Sequence, residues 1–139
     1  MSRPRFHLAF AVADLEATER FYVGLLGASV GRKADRWIDF DFYDHQITAH
    51  LVPGPVPPPP TNPVENHKVP ARHFGVILDF PEWEALADKL KNAGVRFLIE
   101  PHVRFPGQVG EQATLFFQDP SGNAIEIKAF RDQDQVFKA

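Results

Sequence analysis

The sequence predicts an α+β fold in which two βαβββ modules form a cupped mixed sheet with helices on its outer face. Three observations support this prediction. A strand pattern, a helix pattern and a glycine follow one another twice along the chain. The interval from His7 to Gly27 is 20 residues, and the interval from His73 to Gly94 is 21 residues. A proline-rich break at residues 53–70 separates the two occurrences.

The first module begins with residues 7–12, whose alternating side chains are typical of a strand. Asp14 is a candidate cap for the helix that follows, and Gly27 is expected to end that helix. The apolar stripe predicted for this helix consists of Leu15, Thr18, Phe21, Tyr22 and Leu25.

The second module repeats this order. Residues 73–78 form the predicted strand, Asp79 and Glu82 a possible capping box, and Asn92-Ala93-Gly94 the end of the helix. The apolar stripe of this second helix consists of Trp83, Leu86, Ala87 and Leu90.

Three further strands are predicted in each module. They lie at residues 28–33, 36–43 and 46–52 in the first module and at 95–100, 111–118 and 123–130 in the second. The turns Tyr43-Asp44-His45 and Asp119-Pro120-Ser121-Gly122 tolerate tight geometry, so we expect both last hairpins to be antiparallel. Each sheet would keep one face free of its helix, and two such faces would form a trough for a ligand.

The chain of 139 residues fits a single domain. Within it we place module one at residues 5–52, a connector at 53–70 and module two at 71–130. The four prolines at 57–60 are expected to run as extended polyproline without ladder hydrogen bonds.

Composition excludes several kinds of site. The chain has no cysteine, so a metal ion must bind nitrogen and oxygen ligands. The net charge of −3 comes from dispersed acidic residues without a basic run, which argues against a nucleic-acid partner. Residues 6–12 are too short and too alternating for a signal sequence or a membrane span. We therefore expect a cytoplasmic protein that has no membrane partner.

Strand parity predicts which side chains face the trough. His7 and His73 each share a face with small residues, and Glu126 takes the face opposite to that of Ile125 and Ile127. A buried carboxylate is costly unless it meets a cation. Each of these residues alone is more often structural or solvated, but together His7, His73 and Glu126 predict a site for one divalent metal ion. Two imidazoles and a carboxylate suit Fe(II), Mn(II), Ni(II), Co(II) or Zn(II) and leave positions open for substrate.

Three motifs then carry a family resemblance. They are residues 7–15 leading to Phe21-Tyr22 and Leu25-Leu26-Gly27, then His73-Phe74-Gly75-Val76, and finally residues 117–126, which end in Asp119-Pro120-Ser121-Gly122-Asn123-Ala124-Ile125-Glu126. With them the chain resembles the vicinal-oxygen-chelate superfamily over residues 5–130. That superfamily includes glyoxalase I, extradiol dioxygenases, fosfomycin-resistance transferases and metal-free bleomycin-binding proteins. The resemblance implies that His7, His73 and Glu126 are metal ligands.

The sequence departs from glyoxalase I at one position. Glyoxalase I has a fourth ligand, a glutamate on the last strand of its first module. Aligning residues 46–50 with residues 124–128 places Thr48 there. The resemblance therefore implies a three-ligand site like that of extradiol dioxygenases and fosfomycin transferases, with Thr48 as a candidate substrate contact.

Two more residues share the parity of the predicted ligands. His50 is a candidate general acid or base, because an unperturbed imidazole titrates near neutral pH, and it is equally well explained as a structural or rim residue. Lys128 could orient an anionic substrate or neutralise Glu126, and we favour neutralisation.

The remaining candidates lie in predicted loops. An irregular stretch at residues 102–110 contains Arg104, which could belong to a mobile rim that closes on an anionic or aromatic substrate, or to a plain surface connection. His45 and His67 are expected to face solvent.

The leading hypothesis is a metal-dependent enzyme that chelates two neighbouring oxygens of a small substrate. Fe(II) is favoured, and the reaction would then be dioxygenase-type oxidative cleavage of a catechol-like ring. Other metals would suit a glyoxalase-like isomerisation or a fosfomycin-type thiol transfer. The rival hypothesis is a metal-free binding protein of the bleomycin-resistance kind. We expect a homodimer whose modules pair within one chain or are exchanged between two.

Overall fold

The computed structural model describes residues 3–139 and has the predicted α+β architecture of two βαβββ modules. The first module consists of β1 His7–Val12, α1 Leu15–Gly24, β2 Ser29–Ala34, β3 Trp37–Phe42 and β4 His45–Leu51. The second consists of β7 His73–Leu78, α2 Phe80–Asn92, β8 Phe97–Arg104, β9 Gln112–Gln118 and β10 Ala124–Phe130. Between them lie β5 Thr61–Val64 and β6 His67–Pro70, and a 3₁₀ turn at Gln133–Gln135 follows β10.

The two modules have the same sheet topology. The strand order is β1-β4-β3-β2 in the first sheet and β7-β10-β9-β8 in the second. In each sheet the first strand runs parallel to the last, and the other pairs are antiparallel, as predicted for the last hairpins. His7 pairs with Gln46 and His73 pairs with Ala124, so the two opening histidines occupy equivalent positions.

Local sequence accounts for the beginning and end of α1. Asp14 lies just before the helix and its carboxylate accepts a hydrogen bond from Ala17 N at 3.0 Å, which satisfies one of the free amides of the first turn. Gly27 adopts a φ of +72°, a backbone conformation that glycine takes without a steric cost. Both predictions are confirmed.

The capping box predicted for α2 is wrong. The side chain of Asp79 makes no cap bond, and its Oδ1 accepts a hydrogen bond from Gln133 Nε2 at 3.1 Å instead. Pro81 in the first turn also removes one of the amides that a cap would have to satisfy. α2 is held to its sheet by Trp83, which is buried and donates from Nε1 to the Ile127 carbonyl oxygen at 2.9 Å.

The chain divides into two compact units, each built on one module. One unit contains the chain up to Pro58 together with Asp119–Asn123, and the other contains Pro59–Gln118 and Ala124–Ala139. That the two units form one domain stays a prediction. Among residues 3–139, no helix has the length and apolar character that crossing a membrane requires.

Each unit has its own apolar core on the helix-covered side of its sheet. In the first unit the ring of Tyr22 lies 5.6 Å from that of Phe10, 5.4 Å from that of Phe40 and 6.5 Å from that of Phe42, measured between centroids. Such aromatic pairs contribute about 0.5–1.5 kcal/mol each beyond the burial of their area. In the second unit the largest fully buried side chains are Leu90, Leu115, Phe117, Ile125 and Ile127.

Two predicted boundaries differ from the structure. The connector at 53–70 is irregular only up to Pro60, because residues 61–70 form the antiparallel hairpin β5–β6. β8 also extends beyond Glu100 to Arg104, so the irregular stretch begins at Phe105 and not at residue 102. A register shift between Ile99 and His102 lets the strand continue past Pro101, which lacks an N–H for the ladder.

Candidate functional site

The motif before Glu126 is built as a tightly hydrogen-bonded turn. Asp119 is buried, and its Oδ1 accepts hydrogen bonds from the backbone N–H groups of Ser121 and Asn123, each at 2.9 Å. Its Oδ2 accepts from Asn123 Nδ2 and from the Tyr22 hydroxyl, again at 2.9 Å each. These bonds hold the backbone of the turn that precedes β10 in the chain.

Further hydrogen bonds join the same turn to the rest of the first unit, to which it belongs. Asn123 Nδ2 donates to the Ala11 carbonyl oxygen at 2.8 Å, and the Ser121 hydroxyl accepts from Ala13 N at 2.9 Å. Burial and the charge of Asp119 hold the pKa of Tyr22 well above its ordinary value, so its hydroxyl remains a donor. The motif thus has a structural role that is separate from the chemistry of Glu126.

His73 and Glu126 lie together in the second unit. His73 Nε2 is 3.2 Å from Glu126 Oε1, and the two side chains are 28% and 15% exposed. Glu126 pairs with Gly75 across β7 and β10, and a Cβ added to Gly75 would lie 1.5 Å from the Glu126 carbonyl oxygen. Only glycine fits at this position, because any side chain would overlap the backbone of the neighbouring strand.

The second ring nitrogen of His73 determines its tautomer. Nδ1 is 2.7 Å from the Pro70 carbonyl oxygen, which can only accept, so Nδ1 must donate. In neutral His73 the lone pair therefore lies on Nε2, the nitrogen that faces Glu126. This is the orientation that a metal-binding histidine needs, with its other nitrogen held by a backbone carbonyl.

The interaction between His73 and Glu126 shifts the pKa values of both groups. The hydrogen bond with Glu126 raises the pKa of His73, burial opposes this, and the Pro70 carbonyl adds to the rise. Burial alone would raise the pKa of Glu126, but hydrogen bonds from His73 and Thr114 and the charge of Lys128 outweigh it and lower that pKa. The Thr114 hydroxyl donates to Glu126 Oε2, so both carboxylate oxygens have a partner.

A cavity of about 200 Å³ adjoins this pair, and it lies entirely within the second unit. Its charged and polar lining consists of Glu65, His67, His73, His102, Arg104, Thr114, Glu126 and Lys128. The ring of Phe116 contributes an apolar wall and meets the ring of His73 edge-on, with 4.9 Å between centroids. A small molecule could therefore contact the pair and the cationic side chains at the same time.

The predicted substrate contacts Arg104 and Lys128 both line this cavity. Arg104 Nη2 is 2.6 Å from Glu65 Oε1, and its guanidinium carbon lies 5.0 Å from the centroid of the Phe105 ring. Lys128 Nζ is 5.6 Å from the centroid of the Phe130 ring. Arg104 belongs to β8 and is not part of an irregular rim, because its backbone pairs with that of Gln112.

Two histidines and an acidic residue that line this cavity, His67, His102 and Glu65, were not predicted as site residues from the sequence. His67 is exposed, as expected, and its ring also stacks on that of His102, with 6.2 Å between centroids and 28° between planes. Glu65 lies in the turn of the β5–β6 hairpin. The prolines within residues 61–70 argued against strands here and obscured the hairpin in the sequence. His45, also expected to face solvent, is half-buried and accepts a hydrogen bond from Phe6 N at 3.0 Å.

The other predicted site residues lie in the first unit. His7 is exposed at the start of the edge strand β1, and His50 is exposed on β4 opposite Trp37. Thr48 is buried, and its hydroxyl donates to Asp39 Oδ1 at 2.6 Å. Strand register confirms the alignment that located Thr48, because Thr48 and Glu126 each lie two residues beyond the partner of the opening histidine.

The structure thus brings together two of the three predicted metal ligands, His73 and Glu126. Within residues 3–139 no group of three or more His, Asp or Glu side chains is arranged to hold a metal ion. His7 belongs to the unit that does not contain the other two. Its assignment stays a prediction.

Comparison with known proteins agrees with the architecture. Residues 6–127 match the Glyoxalase/Bleomycin resistance protein/Dioxygenase superfamily. A glyoxalase/bleomycin resistance protein/dioxygenase from Alicyclobacillus acidocaldarius is 30% identical, with a TM-score of 0.79 and 96% of each chain covered.

More distant structures share the fold. The fosfomycin resistance protein FosX from Listeria monocytogenes is 18% identical, with a TM-score of 0.69 over 93% of this chain and 94% of that chain. A substituted form of that protein, complexed with Mn(II) and 1S,2S-dihydroxypropylphosphonic acid, is 16% identical, with a TM-score of 0.71 and full coverage of both chains. The extent of the family match and the similarity to the Alicyclobacillus protein show that the chain belongs to the Glyoxalase/Bleomycin resistance protein/Dioxygenase superfamily.

Proposed function

We propose that this protein is a metal-dependent enzyme that binds one divalent metal ion through His73, Glu126 and His7 and acts on a small anionic substrate. The observation that carries the proposal is the His73–Glu126 pair beside a cavity of about 200 Å³. Glu126 is only 15% exposed, and a metal ion would stabilise its charge in addition to His73, Thr114 and Lys128.

The donor set of the second unit fits a metal ion. The Pro70 carbonyl holds Nδ1 of His73, which leaves Nε2 free to be a ligand. The Thr114 hydroxyl holds Oε2 of Glu126, which leaves Oε1 on the side of His73. One imidazole and one carboxylate without a thiolate suit Fe(II), Mn(II), Co(II), Ni(II) or Zn(II).

His7 is proposed as the third ligand because its position in the first module is equivalent to that of His73 in the second. His7 opens β1 as His73 opens β7, and each is paired with the first or second residue of its neighbouring strand in the same parallel register. His7 is exposed and thus available to a ligand. We propose that it completes the site with the second unit of its own chain or of a second copy in a homodimer.

Bound in this way, the metal ion would act as a Lewis acid that stabilises negative charge on two neighbouring substrate oxygens. The chain's own residues would orient the substrate around it. Lys128 and Arg104 place positive charge in the cavity, and Phe116 supplies an apolar wall. His50 and Thr48 retain their predicted roles as general acid or base and as substrate contact.

The first reaction to test is oxygen-dependent cleavage of a catechol-like ring with Fe(II), since a two-histidine, one-carboxylate site leaves room for substrate and oxygen. A second candidate is fosfomycin-type thiol transfer, in which a thiol adds to an epoxide carbon of a small phosphonate while the carbon–oxygen bond opens and the oxygen takes up the thiol proton. The pair of cationic side chains at Arg104 and Lys128 favours it, because phosphonates carry more charge than catechols do. The Listeria FosX complex with Mn(II) and a dihydroxypropylphosphonic acid makes this class a reasonable choice of ligand.

The test is a metal analysis of protein purified without chelators, followed by a substrate screen. We expect about one transition-metal ion per chain, lost on chelation and restored by Fe(II) or Mn(II). Oxygen uptake with catechols, and product formation from small phosphonate epoxides in the presence of a thiol, then separate the two reactions. Protein that neither carries a metal ion nor takes one up would instead support the metal-free binding protein.

A further inference from the structure

The β5–β6 hairpin covers the cavity through two side-chain pairs. Glu65 in its turn forms an ion pair with Arg104, and His67 at the start of β6 stacks on His102. Their partners His102 and Arg104 are two residues apart on β8 and therefore lie on one face of that strand. An isolated two-stranded hairpin is at best marginally stable in water, so contacts of this kind are needed to hold it in place.

Arg104 has more hydrogen-bonding capacity than Glu65 uses. Its side chain is only 26% exposed, and within residues 3–139 its Nε atom is buried without a hydrogen-bond partner. Nη2 alone bonds the Glu65 carboxylate, at 2.6 Å. A guanidinium presents its N–H groups as a planar fork that matches two oxygens of a carboxylate or phosphonate. Such a ligand would satisfy donors that the present ion pair leaves unused.

Glu65 is a weakly held partner for this guanidinium. Its side chain is 51% exposed, so water screens the ion pair. Glu65 and Asn66 both adopt positive φ values, +46° and +67°, which a glutamate adopts only with strain. Two positive φ values in succession are what a two-residue hairpin turn requires, so this strain belongs to the turn and not to the ion pair. Departure of the Glu65 side chain from Arg104 would leave the positive charge of Arg104 without a counter-charge.

We propose that Arg104, flanked by His102 and His67, is the subsite for an oxyanion at one end of the substrate, and that Glu65 occupies it until the substrate displaces it. The proposal deepens the proposed function and rests on it for the identity of the site. The substrate class is a small molecule with a carboxylate or phosphonate group at one end and metal-chelating oxygens at the other, separated by the length of the cavity. The β5–β6 hairpin is then the element that must shift when the substrate enters.

The test measures the binding of inorganic phosphate and of acetate to chelator-treated protein by isothermal titration calorimetry. Glu65→Gln removes the competing charge and is expected to bind phosphate roughly tenfold more tightly than the unsubstituted protein. Glu100→Gln is the matched control, because Glu100 is an exposed residue of β8, the strand that contains Arg104, and the change in net charge is identical. The control is expected to change phosphate affinity less than about twofold.

Arg104→Lys and Arg104→Met are expected to abolish the tighter binding in the Glu65→Gln background. A second readout uses the protein without substitution at Arg104. The Nε–H resonance of Arg104 is expected to shift on phosphate addition, at lower phosphate concentration in Glu65→Gln. The proposal is wrong if Glu65→Gln and Glu100→Gln bind phosphate equally, if no variant binds phosphate or acetate, or if the Nε–H resonance does not move.

Metal content of the same variants separates this proposal from the proposed function. We expect Glu65→Gln and Arg104→Met to retain the metal ion of the parent protein, because neither residue is a proposed ligand. A protein that binds no metal ion but shows the expected phosphate pattern would contradict the metal-dependent function and leave the oxyanion subsite standing. A protein that binds metal but not phosphate would contradict the oxyanion subsite and leave the metal-dependent function standing.

Discussion

Gly75 lies directly against the backbone of Glu126, so closely that a Cβ on Gly75 would be 1.5 Å from the Glu126 carbonyl oxygen. This contact lets β7 and β10 run side by side at the level of the proposed metal ligands. It links the stability of the second unit to the geometry of the His73–Glu126 pair.

Gly75→Ala is therefore expected to lower the free energy of unfolding by about 3 kcal/mol or more, because backbone atoms must move to admit the methyl group. Urea denaturation of the chelated protein measures this. Gly31→Ala is the control, since a Cβ at Gly31 would meet its nearest atom, Asp39 Cβ, at an ordinary 3.6 Å. Equal losses for the two variants would show that the close approach of the strands does not exist in solution.

The His73–Glu126 pair predicts how the stability of the metal-free protein depends on pH. The raised pKa of His73 gives stabilisation that is complete below the ordinary histidine pKa of 6.5 and is lost as pH rises through the folded value. The lowered pKa of Glu126 gives stabilisation present above the ordinary 4.5 and lost as pH falls through the folded value. The pair should therefore stabilise the folded protein most at pH values between these two ordinary pKa values.

The comparison that isolates this effect is the unfolding free energy of Glu126→Gln against that of the parent protein at several pH values. We expect the difference to be greatest between about pH 4.5 and 6.5 and to shrink on both sides. An NMR titration of His73 should give a midpoint above 6.5 in the parent and a lower one in Glu126→Gln. A difference that does not vary with pH would mean that the two groups do not interact in solution.

Tyr22 and Asp119 give a prediction for the first unit. The Tyr22 hydroxyl is buried and donates to a carboxylate, so Tyr22→Phe is expected to destabilise the protein by about 1.5 kcal/mol. Because the pKa of Tyr22 is raised, its contribution is present below the ordinary tyrosine value of 10.0 and is lost as pH rises toward the folded value.

Absorbance at alkaline pH checks this, because the chain has only two tyrosines. Tyr43 is 36% exposed, and Tyr43→Phe should leave a single ionisation that occurs only as the protein unfolds. Ionisation of Tyr22 near pH 10 in the folded Tyr43→Phe variant would contradict the buried hydrogen bond.

Much of the fold could be predicted because each module repeats the same local patterns. Alternation of side chains located the strands, and Asp14 and Gly27 marked the ends of α1. The β5–β6 hairpin escaped prediction because prolines at 63 and 70 argue against a strand, although an exposed two-stranded ribbon tolerates them. The continuation of β8 past Pro101 depends on a register shift that only the pairing with β9 reveals.

The candidate site was predictable where it depends on strand parity, the alternation of side chains between the two faces of a strand. Glu126 and Lys128 lie between buried residues on the face that the alternation of β10 indicated, and His73 meets Glu126 as expected. The contribution of His67, His102 and Glu65 was not predictable, because it requires a long-range approach of the hairpin to β8. Sequence spacing carries no signal for such a contact.

The central claim is that His73 and Glu126 are metal ligands, and the metal content of a small set of variants tests it most directly. His73→Ala, Glu126→Gln and His7→Ala are compared by elemental analysis with His102→Ala, which removes a histidine of the same cavity that is not a proposed ligand. We predict about one metal ion per chain in the parent and in His102→Ala, and a small fraction of that in the other three. Undiminished metal content in both His73→Ala and Glu126→Gln would contradict the account.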